Sequence, residues 1–228
     1  MRFNFKHLMK YLAMLFFLIV CSATKAQSDR KTENIFIITL DGFRWQELFA
    51  GADSALIHNK DFTPNAAELK SLFWADSPRE SRKKLMPFFW STIATQGQLY
   101  GNRLYSNKVN CSNTMWFSYP GYSEILCGFA DDERINSNSK IDNPNTTVLE
   151  FLNKEKRYKG KVAVFASWDV IPYVINEKRS GVPVNGGYET AGGKDLTERE
   201  ILLNELQAAI PGHWGSVRQD AFTHYYAL

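Results

Sequence analysis

Two short stretches of the chain are apolar at nearly every position. Asn34-Ile35-Phe36-Ile37-Ile38-Thr39-Leu40 and Lys161-Val162-Ala163-Val164-Phe165-Ala166-Ser167 are rich in β-branched residues. That pattern predicts strands buried on both faces, as in the middle of a parallel sheet. Elsewhere the apolar positions recur at helical spacing and are bracketed by caps. Thr63-Pro64 predicts the start of a helix running towards Trp74, with proline in the first turn. Ser77-Pro78 predicts a longer helix that Gly97 closes, with a kink or break at Pro87. Asn145 is expected to cap a helix through Val148, Leu149 and Leu152. Thr197 and Glu200 have capping-box spacing ahead of an apolar stripe of Ile201, Leu202, Leu206, Ala209 and Ile210, which Pro211-Gly212 ends. Loop-rich tracts fall at 131–145 and 179–194. This mixture of strands and helices predicts an α/β fold, with a mostly parallel central sheet covered by helices on both faces.

The N-terminus changes the reading of composition. Arg2, Lys6 and Lys10 precede an apolar run from Tyr11 to Val20, and small residues follow in Ala23-Thr24-Lys25-Ala26. This is the layout of a secretory signal over residues 1–26, which implies export to the periplasm or the cell exterior. The apolar run is shorter than the roughly 20 residues of a spanning helix. An uncleaved anchor, or lipid attachment at Cys21, are the other readings of the same segment. The whole chain has 27 Lys and Arg against 24 Asp and Glu. Four of those basic residues and no acid lie in the signal, so residues 27–228 carry no basic excess and no nucleic-acid patch. Nor does that part hold a second apolar stretch long enough to span a membrane. Its length suits one core and one domain. Cys111 and Cys127 remain after cleavage, either as a disulfide or as two thiols.

The candidate chemistry begins where the first apolar run ends. Asp41 follows it directly, and Gly42 permits a sharp turn. In open α/β sheets, sites form outside the carboxyl ends of the strands, where a carboxylate can ligate a divalent cation. The second candidate is Ser118, in Trp116-Phe117-Ser118-Tyr119-Pro120-Gly121-Tyr122-Ser123-Glu124-Ile125-Leu126-Cys127-Gly128. This segment reads as a loop feeding a helix, with Ser118 at the N-cap. Free amides and the helix dipole there stabilise an alkoxide or a bound phosphoryl or sulfuryl group. Taken singly, Asp41 is an ordinary turn residue and Ser118 an ordinary cap; together they are more informative.

An apolar strand ending in Asp-Gly, followed later by Ser-x-Pro, a helix and a glycine, resembles the alkaline phosphatase superfamily. The closest likeness is to its phosphodiesterase/nucleotide-pyrophosphatase and phosphoglycerate-mutase-like branches. The resemblance implies two divalent metal ions, zinc or manganese, with Asp41 as a metal ligand. It implies that Ser118 is both nucleophile and metal ligand. It also implies an asparagine that holds a non-bridging substrate oxygen, for which Asn138 is the first match and Asn136 the second. The segment Phe165-Ala166-Ser167-Trp168-Asp169 looks like a strand-end loop near the substrate in that family. Gly121 stands where the nucleotide-pyrophosphatase branch has asparagine, which weakens a nucleotide-hydrolase assignment.

A two-metal centre needs roughly six or seven protein ligands, mainly Asp and His. After the signal the chain offers His58, His213 and His224, none in an Asp-His pair or a His-x-x-x-His spacing. The last residues, from Ala221 to Leu228, read as the middle of an amphipathic helix. The expectation is therefore the N-terminal part of a longer enzyme, acting on a small phosphate or sulfate ester, with its later ligands missing. Two other classes compete with this reading. One is a non-catalytic exported binding protein with the same fold. The other is a metal-free serine hydrolase, which the lack of a Gly-x-Ser-x-Gly elbow disfavours.

Overall fold

A computed structural model describes residues 32–228. The expected signal at 1–26 lies outside the described residues. The chain divides into two units, 1–40 and 41–228.

In the first unit, residues 32–40 have no regular secondary structure. The strand expected over 34–40 is not formed. Ile35, Phe36, Ile37, Ile38 and Leu40 are between 56% and 86% exposed. The physical reason is that a strand exists only through its ladder, and its apolar side chains gain only when both faces are covered. Leaving five large apolar side chains in water forfeits on the order of 10 kcal/mol of burial free energy.

The second unit is a mixed α/β assembly of short elements. Among the described residues, eleven α-helices accompany a two-stranded parallel sheet. The first half is helical: α1 (Trp45–Ala50), α2 (Ser54–Ile57), α3 (Ala66–Phe73) and α4 (Pro78–Leu85). Ser77 caps α4 by accepting from the Glu80 amide, with Pro78 in the first turn. The break expected at Pro87 is present, because α4 stops at Leu85 and helix resumes as a π-helical turn, Phe89–Ile93. α5 (Ala94–Gln96) then ends at Gly97, as expected. α3 starts two residues later than Thr63-Pro64 implied. Thr63 Oγ1 donates instead to the Leu56 carbonyl (2.9 Å), which holds Thr63 in the preceding turn.

The second half holds the core and the sheet. α6 (Ser118–Cys127), α7 (Val148–Lys154), α8 (Ile171–Ile175) and α9 (Glu177–Ser180) surround β1 (Val164–Ala166) and β2 (Val184–Gly186). The strands pair in parallel with Val164 opposite Val184 and Ala166 opposite Gly186. β1 lies inside the run expected at 161–167, whereas β2 lies in a tract that reads as loop. The central sheet expected from the sequence is thus reduced, among the described residues, to this one pair. Tyr119, Ile135, Val170 and Val174 form one buried cluster; Ile175, Val182 and Val184 form another, and Leu126 and Ile171 touch both.

α10 (Glu198–Ala209) and α11 (Asp220–Tyr226) follow. The capping box of Thr197 and Glu200 is complete, each side chain bonding the other's backbone amide. The stripe of α10 faces outward more than expected: Ile201, Leu202, Leu206 and Ile210 are exposed, while Leu203 and Gln207 are buried. Arg218, also buried, explains the inversion. Its guanidinium donates to the carbonyls of Asn185 (3.1 Å) and Glu189 (3.2 Å) and faces Gln207 Oε1 (3.4 Å), so α10 docks through a polar contact. No helix among the described residues is long and apolar enough to cross a membrane.

A polar network ties α7 to α9. Thr147 caps α7, its hydroxyl accepting from the Glu150 amide (3.1 Å). Asn145 does not cap it as expected, because its side-chain oxygen accepts from Arg134 Nη2 (2.7 Å) and its amide donates to Asp131 (2.6 Å).

Candidate functional site

Asp41 and Gly42 form a turn at the start of the second unit. Gly42 has φ +68°, a left-handed conformation that costs glycine least. Arg44 at the N-cap of α1 pairs with Glu47 and, at 3.0 Å, with Asp53, which fastens the turn to α1 and α2. The structure brings Ser118 to this turn: its Oγ donates to Asp41 Oδ1 across 3.2 Å, 77 positions apart in sequence. Ser118 is the first residue of α6, not its cap; Phe117 holds the N-cap position. The Ser118 hydroxyl is turned to Asp41, and the Gly121 amide bonds the Phe117 carbonyl.

Asn138 lies against the same helix start. Its Oδ1 accepts from the Tyr119 amide (3.0 Å). One amide oxygen thus satisfies a helix-terminal N–H. Asn136 is exposed and is not brought to this pair by any side-chain bond. Of the residues expected to form the site, Asp41 and Ser118 are therefore bonded to each other, Asn138 is bonded to the neighbouring Tyr119 amide, and Asn136 has no bond to any of them.

The loop ahead of α6 is held from behind. Trp116 sits at φ +54°, a left-handed conformation unusual for a bulky residue, and its ring is 96% exposed. Such a conformation costs about 1–3 kcal/mol and persists only where neighbours impose it. The neighbours here are Glu124 and Asp132. Glu124 accepts from the Ser112 amide (2.5 Å) and from both nitrogens of Asn113 (3.0 and 2.8 Å). Asp132 accepts from the Thr114 amide (2.9 Å) and hydroxyl (2.7 Å). Desolvation pushes the Glu124 carboxyl up, but the Asn113 and Ser112 donors outweigh it and hold the group down at about 2. Sequence reasoning passed over this clamp, because nothing local marks a mid-helix glutamate as a partner for loop residues 11 and 12 positions upstream.

The depressed carboxyl sets the pH range of the clamp. Its folded value lies below the ordinary glutamate value of about 4.3, so the clamp is fully present above that pH and is lost only as pH falls towards 2. Glu124→Ala is expected to cut hydrogen-exchange protection at the Ser112 and Asn113 amides by roughly tenfold or more at neutral pH. Unchanged protection at those amides would show that the loop is held by something else.

The donor set does not make a two-metal centre. Among the described residues no group of three or more His, Cys, Asp or Glu side chains is placed to hold a metal ion. Asp41 and Ser118 are two donors against the roughly six or seven that two ions require. The histidines are engaged elsewhere: His58 Nδ1 contacts the Ser54 carbonyl (2.7 Å), His213 lies against Trp214, and His224 against Tyr225. Cys111 and Cys127 are both free thiols, and burial raises both above the usual thiol value. Trp168 packs on the first buried cluster, while the neighbouring Asp169 pairs with Lys140 at 2.6 Å.

No family model, no curated protein and no solved structure matches the chain.

Proposed function

We propose that this chain is an exported hydrolase or transferase for small phosphate or sulfate esters, with Ser118 as the nucleophile. The observation that carries this reading is the Ser118–Asp41 hydrogen bond at the start of α6. A hydroxyl at a helix N-terminus, bonded to a carboxylate, is arranged to lose its proton while negative charge develops beside it. Ser118 Oγ attacks phosphorus or sulfur in line with the ester oxygen. The new bond to Oγ forms as the bond to the leaving oxygen breaks, and the serine proton passes to Asp41. The leaving oxygen takes a proton from solvent. Water or an acceptor hydroxyl then attacks the seryl ester and releases Ser118. In this reading the amide NH2 of Asn138, whose Oδ1 is taken by the Tyr119 amide, would hold a non-bridging oxygen without neutralising its charge.

The resemblance to the alkaline phosphatase superfamily adds metal dependence to this proposal. When bound, divalent ions would lower the serine pKa and offset charge on the substrate oxygens. They would need donors beyond Asp41 and Ser118.

The test is hydrolysis of p-nitrophenyl phosphate and p-nitrophenyl sulfate by the purified chain, with and without added zinc or manganese, alongside mass spectrometry for a covalent adduct on Ser118. Turnover with an adduct supports the reading; turnover with none on Ser118 overturns the nucleophile. The scarcity of metal donors favours a second reading, a non-catalytic exported binding protein, which would show ligand binding without turnover under every metal condition.

Asn138 and Asn136 give an internal control. Asn138→Ala is expected to lower turnover and to cost about 1 kcal/mol of stability, the usual loss for a helix-terminal acceptor. Asn136→Ala is expected to change neither. Equal effects in a urea titration and an ester assay would remove Asn138 from the site.

A further inference from the structure

Residues 27–228 carry no basic excess as a whole, yet their cations are unevenly spread. The turn after α7, residues 154–161, reads Lys-Glu-Lys-Arg-Tyr-Lys-Gly-Lys, five cations against one carboxylate, and every one of these residues is exposed. Lys154 pairs with Glu150. Lys156, Arg157, Lys159 and Lys161 have no carboxylate partner among the described residues.

The backbone that carries these cations is fixed. The Tyr158 and Lys159 amides both return to the Glu155 carbonyl (2.9 and 3.0 Å), and the Lys161 amide returns to the Tyr158 carbonyl (2.9 Å). Asn153, buried on α7, clamps the turn from below: its Oδ1 accepts from the Gly160 amide (3.1 Å), while its Nδ2 donates to the Ser180 carbonyl at the end of α9 (3.1 Å). Gly160 closes the turn at φ +72°. Holding like charges together in one conformation is unfavourable until a counter-charge arrives, and an anionic partner then gains from cations already in place. Apolar side chains stand beside them. Val148 and Phe151 are three residues apart on α7, hence on one face, and both are exposed. Tyr158, also exposed, has the Arg157 guanidinium 5.4 Å from its ring centre.

We propose that α7 and the 154–161 turn form a docking surface for an anionic lipid membrane. Each Lys or Arg held near an anionic bilayer strengthens binding by roughly fivefold, and the attraction decays within a Debye length. Cations gathered on one turn therefore act together, where the same number scattered over the chain would not. Val148, Phe151 and Tyr158 supply the apolar contact that lets such a surface settle between headgroups and acyl chains, where amphipathic aromatic rings are favoured. A soluble polyanion such as a nucleic acid strand is held in a groove that tracks its backbone. Here the cations share a single turn beside an aliphatic and phenyl ridge, which suits a lipid interface. This surface stands independently of the ester chemistry, since it shares no residue with Asp41, Ser118 or Asn138.

The test is co-sedimentation of the full chain with phosphatidylcholine vesicles, with and without phosphatidylglycerol, together with hydrogen exchange over residues 148–161 on the vesicles. Residues 2–20 are themselves basic and apolar, so the deciding comparison is with a full-length triple variant, Lys156→Gln, Arg157→Gln and Lys159→Gln, that leaves them unchanged. The parent should bind the anionic vesicles, release with added salt and gain exchange protection across 148–161. The triple variant should bind roughly a hundredfold more weakly, three losses of about fivefold each. Phe151→Ser should weaken binding by roughly tenfold through lost apolar contact. All four side chains are exposed, so both variants should melt with the parent. Equal binding to vesicles lacking phosphatidylglycerol, full affinity in either variant, no protection at 148–161, or binding of soluble polyphosphate without binding of vesicles would overturn the proposal.

Discussion

Ser118→Ala is expected to abolish ester turnover, by on the order of a thousandfold or more, while leaving the fold intact. Removing a nucleophile leaves only binding and electrostatic contributions to catalysis. The substitution is structurally mild, because Ser118 is the first residue of α6 and alanine is the best helix former. The side-chain hydrogen bond it removes is the donation to Asp41. Asp41→Asn should act differently: it keeps an oxygen at the same place but removes the charge that accepts the serine proton. A loss of roughly a hundredfold, the low end of general-base effects, is expected. The two variants are compared in the same p-nitrophenyl ester assay, with thermal melting as the control for folding. Normal rates in Ser118→Ala would rule out the nucleophile, and a loss shared with melting would point to structure instead.

Arg179→Ala is expected to cost the second unit about 3 kcal/mol. Glu150 is fully buried on α7. Arg179 reaches it from α9 in a fork, Nε to Oε1 at 3.0 Å and Nη2 to Oε2 at 2.8 Å. The same guanidinium donates to the carbonyls of Pro144 (3.2 Å) and Asn145 (2.7 Å), so it also holds the loop before α7. Truncating it leaves a buried carboxylate with Lys154 alone, and two carbonyls without that donor. Arg179 also holds the Glu150 carboxyl below the usual glutamate range, against the opposing effect of burial. Since the folded value is depressed, the pair's contribution is present above the unfolded value of about 4.3 and disappears as pH falls through the folded one. Urea titrations at neutral pH and at successively lower pH check both points. The variant should lose stability at neutral pH, and its stability should fall less steeply with acid than the parent's. A parent and variant of equal midpoint at neutral pH would overturn the account.

The candidate site was legible in parts. Asp41 and Ser118 stand out because each sits beside a breaker, Gly42 or Pro120, that marks a turn in the chain. Their meeting across 77 positions is not readable from spacing, since it depends on how the Asp41–Gly42 turn and α6 are packed. Asn138 emerged beside Ser118 through a bond to the Tyr119 amide, and Asn136 did not, although both occupy one polar loop.

The sequence by itself determined the features whose free energy is settled within one or two helical turns. The Ser77 cap with Pro78, the interruption at Pro87, the stop at Gly97 and the reciprocal Thr197–Glu200 box all form where local chemistry predicts. A cap or a missing amide acts on its own few residues, except where a distant group takes the side chain, as Arg134 and Asp131 take Asn145. The tertiary structure alone decided which apolar runs became strands. Residues 34–40 and 161–167 carry the same pattern, yet one is exposed coil and the other contributes β1, because a strand needs a second strand to complete its ladder. It decided, too, that Val184–Gly186 pairs despite its turn-rich surroundings, and that α10 docks through Gln207 and Arg218 while much of its apolar stripe stays in water. Burial and ladder bonds belong to pairs of segments distant in sequence, and periodicity within one segment carries no information about its partner.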